Sequence, residues 1–181
     1  MALWLAAAAW APAHADQPLL RPASDVDVTY RAATPPGSRP FEQRVRWMAL
    51  AQIMRIDPPT AGVHVIIDYP AKRMSVVRDA TRSVIEMAAP DSIAGALGSG
   101  GTGYVRRGQA TVAGRPCTEW QTQDRDAHVA LVCITEDGVL LRAGTSDQVR
   151  VSAVSVRYAP QDPEAFRVPP DYVRRRQGAT Q

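Results

Sequence analysis

Val63-His64-Val65-Ile66-Ile67-Asp68-Tyr69, then Pro70-Ala71-Lys72-Arg73, then Met74-Ser75-Val76-Val77-Arg78 is the stretch on which the fold turns. In an extended chain successive side chains point to opposite sides. Val63, Val65, Ile67 and Tyr69 therefore share one side, and His64, Ile66 and Asp68 the other. Both sides are partly apolar, which marks a strand covered on both faces. The Pro-containing break and the second β-branched run then predict an antiparallel partner. Asp79-Ala80-Thr81 makes a further turn, and residues 82–87 return, so the stretch reads as a meander.

The same alternation extends outward. Val26, Val28 and Tyr30 mark a first strand, and Pro35-Pro36-Gly37 and Pro40 break it. Arg44-Val45-Arg46-Trp47 alternates again, followed by Ile53, Arg55 and Asp57. A single helix over 41–55 competes here, because Ala, Leu, Gln and Met favour helix. Two strands joined at Ala49-Leu50-Ala51 is the preferred reading, from the clean two-residue period. Beyond the meander, strands are predicted over 104–112, 117–122, 128–135, 139–142 and 148–158, with Gly114-Arg115-Pro116 and Asp137-Gly138 as turns. Pro160, Pro163, Pro169 and Pro170 end regular sheet, and 162–166 has room for one helical turn.

The best helix candidate is 90–97, capped by Asp91 or Ser92, with Ile93, Ala94 and Leu97 as its apolar stripe. Gly98-Ser99-Gly100-Gly101-Thr102-Gly103 contains the spacing G-x-G-x-x-G. That fingerprint requires a strand before it and a helix after it. Here the order is reversed, so the stretch is read as a connector rather than a phosphate cradle.

Only two cysteines occur, Cys117 and Cys133. A hairpin turning about Arg125 would place them directly opposite each other on one face, where a disulfide would close a loop of about 15 residues. Two reduced thiols are the alternative. No C-x-x-C motif and no tetrahedral ligand set is present, so redox catalysis and a metal site are not expected.

Residues 1–15 read as a signal peptide: apolar from Ala2 to Ala11, broken at Pro12, and ending in the small-x-small site Ala13-His14-Ala15. No Lys or Arg precedes the apolar run. The run is too short to span a bilayer, and no later segment is apolar enough to do so. The mature chain is expected to begin at Asp16 as a single domain over 16–181, soluble, monomeric and periplasmic. This compartment permits the disulfide.

Composition is that of a globular protein, with 45% hydrophobic and 22% charged residues. The net charge of +3 is carried almost wholly by arginine, since Lys72 is the only lysine. Acidic residues are interspersed, and only Arg174-Arg175-Arg176 forms a run, read as a frayed tail. Nucleic acid is therefore not an expected partner. His14 leaves with the leader, and His64 and His128 fall on separate strands with no marked nucleophile. Asp68, Asp79, Glu86 and Glu119 show no spacing that pairs them as acid and base. No catalytic residue and no cofactor is expected.

Three blocks carry a resemblance. The first runs through Arg55-Ile56-Asp57, Val65-Ile66-Ile67-Asp68-Tyr69, Met74-Ser75-Val76-Val77 and Arg82-Ser83-Val84-Ile85-Glu86-Met87. The second is Thr111-Val112-Ala113-Gly114-Arg115-Pro116-Cys117-Thr118-Glu119-Trp120 followed by Val132-Cys133-Ile134-Thr135-Glu136-Asp137-Gly138. The third is Phe166-Arg167-Val168-Pro169-Pro170-Asp171-Tyr172, which departs from the Pro-x-Gly-Tyr ending frequent in relatives. Together they resemble an uncharacterised family of exported bacterial proteins with a domain like the LolA/LolB outer-membrane lipoprotein carriers. The resemblance implies a mainly β (α+β) fold: a curved antiparallel half-barrel sheet with one or two short helices. It also implies a concave apolar face that holds acyl chains, with Trp47, Ile66, Val77, Ile85 and Trp120 as candidate lining and Ile93 and Leu97 as part of a lid. The expected partner is a hydrophobic ligand or a lipoprotein. An envelope protein bound at a sheet edge is the alternative.

Overall fold

The computed structural model describes residues 17–33, 39–91, 93, 102–123 and 128–177. Among the described residues twelve strands form one open, curved sheet. They are β1 Val26–Ala32, β2 Phe41–Met48, β3 Ile53–Asp57, β4 Val63–Asp68, β5 Arg73–Arg78 and β6 Ser83–Ala88, then β7 Thr102–Val112, β8 Arg115–Gln123, β9 Val129–Ile134, β10 Leu140–Gly144, β11 Val149–Tyr158 and β12 Val173–Arg176. The order across the sheet is β12-β6-β5-β4-β3-β2-β1-β11-β10-β9-β8-β7. Two meanders thus meet where β1 pairs with β11. The sheet is mixed rather than purely antiparallel, because β12 runs parallel to β6.

Three of the hairpins are made by the same local device. In 49–52, 69–72 and 79–82 the fourth residue donates its N–H back to the first, and that residue (Gln52, Lys72, Arg82) sits in the left-handed region. This geometry returns the chain in register, at the steric cost of a Cβ at positive φ. The competing helix over 41–55 is not formed, since β2 and β3 occupy it. The helix expected at 90–97 falls largely outside the described residues. Of that span only Pro90, Asp91 and Ile93 are described, and Ile93 is helical and buried.

Two corrections concern pairing. The β8–β9 register places Cys133 opposite Glu119, two residues along β8 from the expected partner Cys117. Cys117 therefore lies diagonal to Cys133, yet their Cα atoms are 5.5 Å apart and the disulfide is formed. The arginine run 174–176 is not a frayed tail. It is strand β12, tied to β6 along Val173–Arg176.

An apolar sheet face and three clefts

Directly paired residues share a face, so the register maps both faces of the sheet. One row across β1 to β6 reads Val26, Trp47, Met54, Ile67, Met74 and Met87. The next reads Val28, Val45, Ile56, Val65, Val76 and Ile85. Every member of both rows is apolar. Past β1 the face continues through Tyr158 and Val156 on β11. Farther across the sheet, Val151, Ala143, Val132 and Trp120 carry it as successive partners.

Coverage of this face is uneven. Val26, Trp47, Met54 and Ile67 are buried, whereas Met74, Met87, Val65, Val76 and Ile85 on the β4–β6 wing are only half-buried. The arm at 17–25 accounts for part of the buried side. The indole N–H of Trp47 donates to the Pro22 carbonyl at 2.9 Å, and the ring meets Tyr69 edge-on at 5.7 Å. Arg21 lies over the Tyr69 ring at 4.6 Å. Ala23 N–H donates to the Asp137 carbonyl, and a Cβ at Gly138 would stand 2.3 Å from the Arg21 carbonyl oxygen. The arm thus needs glycine at that turn. Burial pushes the Tyr69 and Tyr30 phenols well above their usual range. Tyr30 donates to the Leu140 carbonyl, tying β1 to β10 across β11.

The opposite face is polar along β11, β1, β2 and β3. Asp27 accepts from Arg44 Nε and Arg157 Nη2, each at 2.9 Å. The Arg44 bonds hold its carboxyl below the usual range despite partial burial, and Arg157 assists. Asp57 accepts from Arg46 and Arg55, each at 2.8 Å. Arg55 also donates to the Ala165 carbonyl at 2.6 Å, anchoring the C-terminal crossing over β3. Beneath this face His64 is buried, which pushes its pKa down, and the Arg55 charge adds to the effect.

Clefts lined by described residues open on these surfaces, three of them beside the candidate residues. The first, about 650 Å³, has Trp120 and Ile134 as floor and Leu19, Arg115 and Tyr158 at its walls. The second, about 580 Å³, lies between the arm and Trp47 and Leu50. The third, about 640 Å³, is on the polar face, where Phe166 and Pro169-Pro170 roof over Ile66 and Ser75. All fall within the roughly 300–1,000 Å³ of small-ligand sites.

The five candidate lining residues therefore do not form one surface. Trp47, Ile85 and Trp120 belong to the apolar face, with Trp47 in the second cleft and Trp120 in the first. Ile66 and Val77 point to the polar side, Ile66 in the third cleft and Val77 fully buried opposite His64. Of the two lid residues, Ile93 is buried and Leu97 lies outside the described residues. Sequence reasoning misses Met74, Val76 and Met87, the half-buried wing. Their alternation with Ser75 and with Glu86 is the signal that could have found them.

Among the described residues no three His, Cys, Asp or Glu side chains come together as a metal cage. No helix among them is long and apolar enough to cross a membrane.

No protein-family model matches the sequence. No curated protein matches it either. Solved structures do. An uncharacterized conserved protein from Thermus thermophilus superposes with a TM-score of 0.60 at 13% identity, over 86% of this chain and 91% of that one. MucB in complex with MucA(peri) gives 0.51 at 14% identity over 82% of this chain. The Pseudomonas aeruginosa MucA/MucB complex gives 0.53 at 15% identity over 79% of this chain. The chain spans only 56% and 55% of the lengths of those last two. At such identities the likeness is one of fold: this chain has the curved-sheet architecture that these structures share.

Proposed function

We propose that the chain is an exported, non-enzymatic, LolA-like protein of the bacterial envelope that binds an apolar guest, an acyl chain or lipoprotein, on the apolar face of its sheet. The carrying observation is the pair of all-apolar rows across β1 to β6, left half-covered over Met74, Val76, Ile85 and Met87. Burying a guest there gains about 0.8 kcal/mol per methylene. Some eight methylenes give about 6 kcal/mol, enough for a Kd of tens of micromolar. The leader-like residues 1–15 and the Cys117–Cys133 disulfide support an oxidising compartment.

Titration with a fluorescent fatty-acid probe tests this reading. Wild type is expected to bind saturably, and V76W/I85W, which fills the wing, to lose at least tenfold in affinity. Wild-type protein that leaves the probe free contradicts the proposal. A second reading, a protein-binding module, is favoured by the fold's presence in a MucA-bound MucB. It predicts partner binding that survives V76W/I85W.

A further inference from the structure

The outer edge of β6 carries a feature separate from the apolar face. It is filled by the chain's own tail. Val173 N–H donates to the Arg82 carbonyl at 2.9 Å and Gln177 N–H to the Glu86 carbonyl at 2.8 Å. Between them, Arg174 and Arg176 converge on the Glu86 carboxylate at 3.1 and 3.9 Å. At the entry, Tyr172 donates to Asp79 at 3.1 Å, and Arg82 pairs with Asp171 and lies over the Tyr172 ring.

Acceptor and occupant are built differently. Glu86 is 8% exposed, held in the sheet between Ser75 and the tail. All four residues of β12 are exposed, and none belongs to the core. The pairing is parallel, the weaker ladder per residue, and only four residues long. The far edge of the sheet offers no equivalent, because β7 breaks register twice against β8, and such irregularity blunts an edge.

We propose that the β6 edge is a strand-acceptor site for an extended segment of a protein partner bearing arginines two residues apart, and that β12 occupies it in cis. The backbone of β6 supplies the ladder, as in strand addition generally. Glu86 supplies selection, since only residues i and i+2 of a strand reach the same side. A charge buried at the edge also disfavours an apolar occupant, which would leave it unpaired.

The test uses the full chain with R174E/R176E, and a labelled peptide of residues 171–177 in trans. Amide exchange at Val173 and Gln177 reports release of the tail, and fluorescence anisotropy reports the peptide. The variant is expected to release its tail and to bind the peptide at least tenfold tighter than wild type. Adding Glu86→Gln is expected to abolish that gain. Three results overturn the proposal: a tail that stays docked in R174E/R176E, a released tail with no gain in peptide binding, or a released variant whose β6 edge is taken by a second copy as a dimer.

Discussion

Reduction of the Cys117–Cys133 disulfide should cost the fold about 3 kcal/mol. The two cysteines are 16 apart in sequence, closing a loop of 15 intervening residues. In the chain-entropy relation, a 15-residue loop loses about 10 cal/mol/K, or about 3 kcal/mol at room temperature. In this relation the effect falls on the unfolded chain, whose conformational freedom the bond restricts. Against typical domain stabilities of about 5–15 kcal/mol this is large. For a domain of this size it corresponds to a fall in Tm of about 6–12 °C. The assay is urea unfolding with and without a phosphine reductant, followed by Trp120 fluorescence next to the bridge on β8. The midpoint should drop and the m-value rise slightly as the unfolded chain expands. A loss below about 1 kcal/mol, or native protein whose thiols alkylate without reductant, would refute the reasoning.

Other perturbations probe separate parts of the structure. Gly138→Ala places a Cβ against the Arg21 carbonyl at φ +92°, and should destabilise by about 2–3 kcal/mol and open the arm to trypsin at Arg21. Tyr30→Phe leaves the Leu140 carbonyl without its donor and should cost about 1–2 kcal/mol in the same unfolding assay. His64, faced by Arg55, Arg46, Asp57 and Asp79, has a lowered pKa, so the unfolded chain binds its proton first. Stability should therefore be full above pH 6.5 and fall as pH drops below it, by at most about 1.4 kcal/mol per unit. His64→Leu should flatten that slope; an unchanged slope contradicts the burial argument.

The meander was legible because Val63–Asp68 and its neighbours alternate with period two and each break carries turn residues. The faces were harder. Ile66 and Ile67 are adjacent and equally apolar, so only register shows that Ile67 joins the Met54–Met74 row while Ile66 meets Ser75 under the C-terminal crossing. The cysteine pair was harder to align, because alternation along β8 and β9 fixes which side each cysteine faces but not which residue stands opposite it, and the register sets Cys133 against Glu119. Strand β12 had no local signal at all. Arg174-Arg175-Arg176 becomes a strand through Glu86, 88 residues away from Arg174 in sequence.

Methyl NMR of the methionines tests the apolar-face reading most directly. Met54, Met74 and Met87 lie in one row of that face, and Met48 projects from the other side of β2 as an internal control. On titration with a saturated fatty acid, the Met74 and Met87 methyls should shift together and saturably, with Met48 unmoved. Shifts confined to Met48, or no shift at any of the four, would contradict the account.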